Sequence, residues 1–296
     1  MAATVPAPVS LRLEQALGQW RQWQLAAPLP QAPRVLQPLG RGLSNHSFLL
    51  ASGERRFVLR LDGINPAANG LSRQLEWRIL QQAHAAGIAP APRYCNPELG
   101  ALVCDHLATD DANADDPAAV ARLLQRIHRL PAVHARLDLA ERCRRSEHGL
   151  RQGQPDRWQS LRGAAAMIAA LLPRLATNGG PLTLCHNDLL RANRLGHDGR
   201  LWAVDWEYAA MGPIWFDLAA VIAGDEWTDA AVAALLQAYL GRAPLPGEKE
   251  RLLGFECAYR YLELLWYLLA PEPPPADYLA RKHTLLEARL RALPGS

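Results

Sequence analysis

The spacing of apolar positions changes period along the chain, and the changes predict a strand-rich N-terminal part and a helical C-terminal part. Over residues 10–27, Leu11, Leu17 and Trp20 recur at helical spacing until Pro28, Pro30 and Pro33 end the run. Three short β-like stretches follow at 35–39, 46–51 and 56–62, and the turn around Ser52-Gly53-Glu54 joins the last two as a hairpin. Residues 72–86 place Leu75, Ile79, Ala83 and Ala86 on one helical face, with Gly87 as the stop. Two more strands are expected at 93–95 and 101–106. Asp116-Pro117 then opens a helical region predicted at 117–130, 139–151, 156–176, 214–223, 228–240, 247–269 and 276–292. A polar β-rich island at 182–206 interrupts it. The pattern predicts an α+β protein of two lobes, a small β-rich N-lobe at 34–106 and a larger helical C-lobe at 107–296. A helical extension at 1–33 precedes them, a hinge lies near 104–110, and a small molecule is expected in the cleft between the lobes.

Composition narrows the function. The 296 residues carry 32 basic and 29 acidic side chains, a formal net charge of +3. That balance argues against nucleic acid or an anionic membrane as the main partner. No apolar run approaches the length of a membrane span, and the first ten residues lack the basic and apolar blocks of a signal peptide. Five cysteines (Cys95, Cys104, Cys143, Cys185, Cys257) include no Cys-x-x-Cys pair, which points to reduced thiols and a cytoplasmic protein. Only Lys249 and Lys282 among the basic residues are lysines, so a cation required in the first 248 residues is an arginine.

The densest chemistry lies in the island. His186, Asp188 and Asn193 form the pattern H-x-D-x-x-x-x-N, and Asp205 follows twelve residues later in V-D-W-E-Y. Phosphoryl transfer from a nucleotide needs a carboxylate that orients the attacking hydroxyl, and hard oxygen ligands for Mg²⁺. Asp188 suits the first task; Asn193 and Asp205 suit the second. The apolar lead-ins suggest that two short antiparallel strands, one before Asp188 and one before Asp205, hold the three together.

H-N-D-L-L-R-A-N followed by V-D-W-E-Y-A resembles the catalytic and metal-binding segments of the aminoglycoside phosphotransferase and choline kinase superfamily. The resemblance implies a protein-kinase-like two-lobe fold, ATP as phosphate donor and Mg²⁺ as cofactor. It makes Asp188 the catalytic carboxylate, Asn193 and Asp205 the metal ligands, His186 a residue that holds the catalytic loop, and Asp217 a brace for that loop. The stretch from Gly40 through Ser44 and Asn45 to Phe48 resembles the nucleotide-binding loop. Arg60 stands where many relatives carry a strand lysine, in keeping with the choline kinase and thiamine kinase branches. Glu76 becomes its ion-pair partner, and Cys104-Asp105-His106 the segment against the adenine.

The acceptor is read from aromatic and acidic residues near and after the island. Tyr259, Glu263, Trp266 and Tyr267 share a helical face, and Asp225-Glu226-Trp227 forms a second acidic-aromatic patch. Aromatic faces beside carboxylates suit a quaternary or thiazolium cation, so a small cationic alcohol such as choline or thiamine is the expected acceptor. The alternatives are an antibiotic kinase, for which the acidic stretch from Asp110 to Asp116 offers a polycation site, and a nucleotide-binding pseudokinase. Arg142, Arg144, Arg145 and Arg151 read as a solvated helix face.

Overall fold

The computed structural model describes residues 7–41, 45–63, 70–110 and 113–294. The chain divides into two compact units, one built from Met1–Ala112 and Leu195–Tyr208, the other from Asn113–Arg194 and Ala209–Ser296.

In the first unit the alternating stretches form a five-stranded antiparallel sheet. Its strands are β1 (Arg34–Arg41), β2 (Asn45–Ser52), β3 (Arg55–Asp62), β4 (Pro92–Asn96) and β5 (Ala101–Asp105), in the order β1-β2-β3-β5-β4. The β2–β3 hairpin pairs Asn45 with Asp62 and Ser52 with Arg55, closing through Gly53 at φ +58°, where a glycine avoids the steric cost of the left-handed region. Helix α2 (Arg73–Ala85) begins where the Ser72 hydroxyl accepts the Leu75 N–H.

Helix α1 (Ala7–Gly18) stops earlier than the apolar spacing predicts. After it, residues 20–22 form a single tight turn, and the Gln24 N–H donates to the Arg93 carbonyl at 2.6 Å, so this part of the chain bonds to β4 instead of to itself. The N-terminal segment is integral to the unit. Val9, Ala16, Trp23 and Leu29 share one apolar cluster with Phe48, Phe57, Leu59 and Val103, and Arg12 donates to the Asp62 carbonyl at 2.7 Å. A second hairpin, β7 (Arg194–His197) and β8 (Arg200–Ala203), is tied to this unit by the Ala203 N–H donating to the Ile88 carbonyl at 2.7 Å. Asp205 follows β8.

The second unit is helical: α3 (Pro117–Ile127), α4 (Leu139–Gly153), α5 (Pro155–Asn178), α6 (Ile214–Gly224), α7 (Asp229–Leu240), α8 (Pro246–Leu269) and α9 (Ala276–Arg291). Nine consecutive residues of α6, Trp215 to Ala223, are buried, and all but Asp217 are apolar, as expected of a helix in the core. Two glycines let helices close on it and on α8. A Cβ on Gly224 would meet Leu190 at 2.3 Å, and one on Gly254 would meet Leu175 at 2.8 Å. A two-stranded sheet pairs β6 (Leu182–Cys185) with β9 (Ala210–Pro213).

The strand pairing differs from the sequence expectation. The strand before Asp188 pairs with β9 and the strand before Asp205 pairs with β7, so the two belong to separate sheets. Each short strand has a nearer partner: β7 reaches β8 through the two-residue turn Asp198-Gly199, with both residues at positive φ. Among the described residues no helix is long and apolar enough to cross a membrane.

Candidate active site

Asp188 sits in a loop that the second unit holds from several sides. Where β6 ends, the Asp217 carboxylate accepts three hydrogen bonds: the His186 N–H and His128 Nε2 at Oδ2 (2.9 and 3.0 Å), and the Asn187 N–H at Oδ1 (2.7 Å). His128 is in turn fixed through Nδ1 against the Tyr239 hydroxyl at 2.6 Å. Burial alone would raise the Asp217 carboxyl, but the hydrogen bond and charge of His128, with the contribution of His186, hold it below the usual carboxylate range. The charge is what lets one side chain fix two successive backbone amides. Asn187 is thereby kept at φ 64°, a left-handed conformation that turns the chain into Asp188. The ligand-type atoms of His128, Cys185 and Asp217 lie within 4.8 Å of one another, and these hydrogen bonds, with Cys185 Sγ donating to the Gly212 carbonyl, account for the gathering.

Asp188 and Asn193 are in direct contact. Asn193 Nδ2 donates to the Asp188 carbonyl at 2.8 Å and to its Oδ2 at 3.1 Å across a tight turn at Arg191–Asn193. With Nδ2 spent on Asp188, the amide presents its oxygen as an acceptor for a cation. Arg194, wholly buried, staples the far side: Nη1 donates to the Leu189 carbonyl (2.8 Å) and to Asp225 (2.7 Å), and Nε to the Ala114 carbonyl (2.7 Å). Asp225 also accepts the Arg191 N–H at 2.9 Å, so both of its oxygens hold the loop.

The first unit assembles a second polar cluster. Arg60, on the central strand β3, makes a bidentate pair with Glu76 of α2 (2.7 and 2.6 Å) and reaches Asp205 Oδ1 at 2.6 Å. Arg73, one turn before Glu76 on α2, binds Glu76 at 2.7 Å, Asp62 at 2.6 Å and Glu207 at 2.9 Å. Glu207 accepts Asn45 Nδ2 at 3.3 Å. Two guanidinium groups thus face four carboxylates, a formal charge of −2. The carboxylates share it unequally. Burial would raise Glu76, but two arginines hold it below the usual range; Asp205 has one arginine, and burial pushes its carboxyl up to about 6. Asp205 is also held at φ 64°, and 30% of its side chain remains exposed. Asp62 and Glu207 also have a single arginine partner, but both are buried, so Asp205 is the carboxylate of the cluster open to a ligand.

The remaining sequence-derived candidates fall in three places. Ser44 lies outside the described residues. Asp105, at the end of β5, pairs with Arg93 of the neighbouring strand β4. Glu226 and Glu263 both bind the ammonium of Lys282, Trp266 packs edge-on to Tyr267 at 5.3 Å, and Trp227 has the Arg194 guanidinium 5.9 Å from its ring centre. Sequence reasoning missed Arg73, Glu207, Arg194, His128 and Lys282. The i, i+3 spacing of Arg73 and Glu76 on one helix was an available signal for the first. The others act across 80 or more residues, or through partners that the fold brings together, and no local pattern marks them.

Residues 35–253 match the phosphotransferase enzyme family (APH). A thiamine kinase of Escherichia coli is 32% identical over 186 residues, 61% of this chain and 63% of the relative. LicA of Haemophilus influenzae is 32% identical over 91 residues, so the chain spans 28% of its own length and about a third (33%) of that protein. The crystal structure of choline kinase LicA from Streptococcus pneumoniae superposes with a TM-score of 0.72 at 22% identity, covering 88% of this chain and 94% of that one, and a LicA structure in complex with AMP does so equally (0.72). At that identity the likeness is one of fold, and the fold is the kinase-like α+β arrangement, with a β-sheet N-terminal region and a helical C-terminal region. The family match spans both the sheet and the loop bearing Asp188, and on that footing this chain belongs to the phosphotransferase enzyme family.

Proposed function

We propose that the protein is a small-molecule kinase that transfers the γ-phosphate of ATP to the hydroxyl of a small alcohol. The observation that carries the reading is that one chain of this family holds both a braced Asp188–Asn193 loop and an anionic Arg60–Glu76–Asp205 cluster. In this reading 34–106 is the nucleotide-binding segment, and 107–296 carries the catalytic loop and the acceptor.

The donor set fits a hard divalent cation: the Asp205 carboxylate and the Asn193 amide oxygen are the ligand types Mg²⁺ takes, and the −2 charge around Asp205 favours a dication. When bound, Mg²⁺ neutralises phosphate charge as the phosphoryl group moves. The protein's own groups do the rest. Asp188 accepts a hydrogen bond from the attacking hydroxyl and aims it. Asp217 and Arg194 keep the loop from yielding. Arg60, oriented by Glu76, supplies a forked donor to phosphate oxygens in place of a lysine's single point charge.

Relatives named for choline and thiamine put a small cationic alcohol among the acceptors to be tried. The test of the nucleotide half of this reading is calorimetry of ATP binding with and without Mg²⁺. Asp205→Asn should lose at least tenfold of the Mg²⁺-dependent affinity and keep the Mg²⁺-independent part. Equal Mg²⁺ enhancement in wild type and variant would remove Asp205 from the metal site.

A further inference from the structure

Two of the acidic residues that suggest a cationic acceptor, Glu226 and Glu263, already bind a cation that the chain itself provides, and Glu226 shares its other oxygen with Arg281 at 2.8 Å. Lys282 of α9 is buried, 4% exposed, in a chain whose basic residues are almost all arginine. Its Nζ lies 3.0 Å from Glu226 Oε1, 3.0 and 3.1 Å from the two oxygens of Glu263, and 5.5 Å from the ring centre of Tyr278. Tyr267 and Trp266 continue the aromatic wall, with ring centres 5.6 Å (Tyr278 to Tyr267) and 5.3 Å (Tyr267 to Trp266) apart. Two carboxylates and an aromatic face around a compact ammonium are the elements of a cation seat. A guanidinium is planar and broad; an ammonium is the one protein cation shaped like the head of an amino or quaternary alcohol.

Tyr259, one turn before Glu263 on α8, links the cluster to the catalytic loop in the same unit, since Tyr259 and Leu190 both crowd Gly224. The buried Tyr259 of α8 feels the charges of both Asp188 and Glu263, and its hydroxyl packs where a Cβ on Gly224 would reach it at 2.8 Å. Burial by itself would lower the Lys282 ammonium, yet Glu263 and Glu226 hold it above the ordinary lysine value, so it stays charged across the physiological range. Stability alone is a weak reason for such a group. Replacing a buried ion pair with apolar residues is commonly neutral or stabilising.

We infer that Lys282 is a specificity-determining residue: its tethered ammonium fills the seat formed by Glu226, Glu263 and Tyr278, and directs the enzyme to alcohols that carry no positive charge there. This inference rests on the kinase reading for the word acceptor, but its test reads equilibrium binding and needs no turnover.

The probes are choline and its uncharged isostere 3,3-dimethylbutan-1-ol, titrated by calorimetry into the full chain in the presence of Mg²⁺ and ADP. Wild type should bind choline no more tightly than the isostere. Lys282→Met should bind choline about tenfold more tightly than wild type does, with the isostere changed less than about twofold. Lys282→Gln, which keeps an N–H donor for Glu263 and loses the charge, should shift in the same direction and serves where the methionine variant does not fold. A wild-type preference for choline of tenfold or more would overturn the inference. So would folded Lys282 variants with no gain for choline. Failure of phosphoryl transfer with every alcohol would instead strike the kinase reading and leave these affinities interpretable.

Discussion

At the scale of single residues, the site depends on charges whose surroundings were built to keep them. Asp217 is the clearest case: a wholly buried carboxylate held ionised by His128 and two backbone amides. Its folded pKa lies below the unfolded value of about 4, so its contribution to stability is present above that pH and is lost as pH falls through the lower folded value. Denaturant unfolding of wild type and Asp217→Asn across pH should therefore show a gap at neutral pH that narrows on acidification. A gap that is constant down to pH 2 would contradict the charged brace. Residue identity also explains what could be read without coordinates. Asp188 and Asn193 stand five positions apart, the reach of one tight turn, and the structure shows them in contact. The resemblance to kinases pairs Arg60 with Glu76, and the two are in bidentate contact. Arg73 lies outside the resemblance, and the only sequence signal for it is its i, i+3 spacing from Glu76 on one helix. The acidic-aromatic spacing places Glu263, Trp266 and Tyr267 on one helix but says nothing of Lys282, which meets Glu263 from another helix.

At the scale of elements, the helix ends decide where the catalytic loop stands. The C-terminal end of α6 presses on that loop through Gly224, which leaves no room for a side chain beside Leu190 and the Tyr259 hydroxyl. Gly224→Ala should cost about 1–3 kcal/mol by overpacking, read as a lower denaturant midpoint with an unchanged slope. Arg194 works from the other side. Removing its guanidinium in Arg194→Met leaves Asp225 without its buried partner, and about 3 kcal/mol of stability should go with it. If Arg194 also positions Asp188, the variant's turnover should fall while the affinity for Mg·ATP stays within about threefold; equal losses in both would make its role purely structural. Most element boundaries were legible in the amino-acid pattern because proline, glycine and capping residues mark them. Asp116 caps α3 with Pro117 at its first turn, and Gly241 ends α7 in the left-handed conformation. The pairing of β6 with β9 was not legible. Four-residue strands carry too little alternation to choose a partner, and the choice is made by the helices to which they are joined.

At the scale of the whole molecule, the polar groups of the site are drawn from sequence positions 45 to 225 and are collected by the fold in two clusters, one in each compact unit. The family match spans residues of both. Ligand binding should register in global stability: Mg·ATP at about 100 times its Kd should add about 2.7 kcal/mol to the unfolding free energy, and ATP with a chelator distinctly less. The central claim is that Asp188 aims an alcohol at the γ-phosphate. Its most direct test is single-turnover transfer of radiolabelled γ-phosphate from Mg·ATP to a panel of small alcohols (choline, thiamine, ethanolamine and 3,3-dimethylbutan-1-ol), comparing wild type with Asp188→Asn at matched nucleotide occupancy. The account predicts transfer by wild type to at least one alcohol and a loss of about a thousandfold or more in the variant, with the Kd for Mg·ATP within about twofold. Transfer that proceeds equally well without the Asp188 carboxylate, or no transfer to any alcohol by wild type, would contradict it.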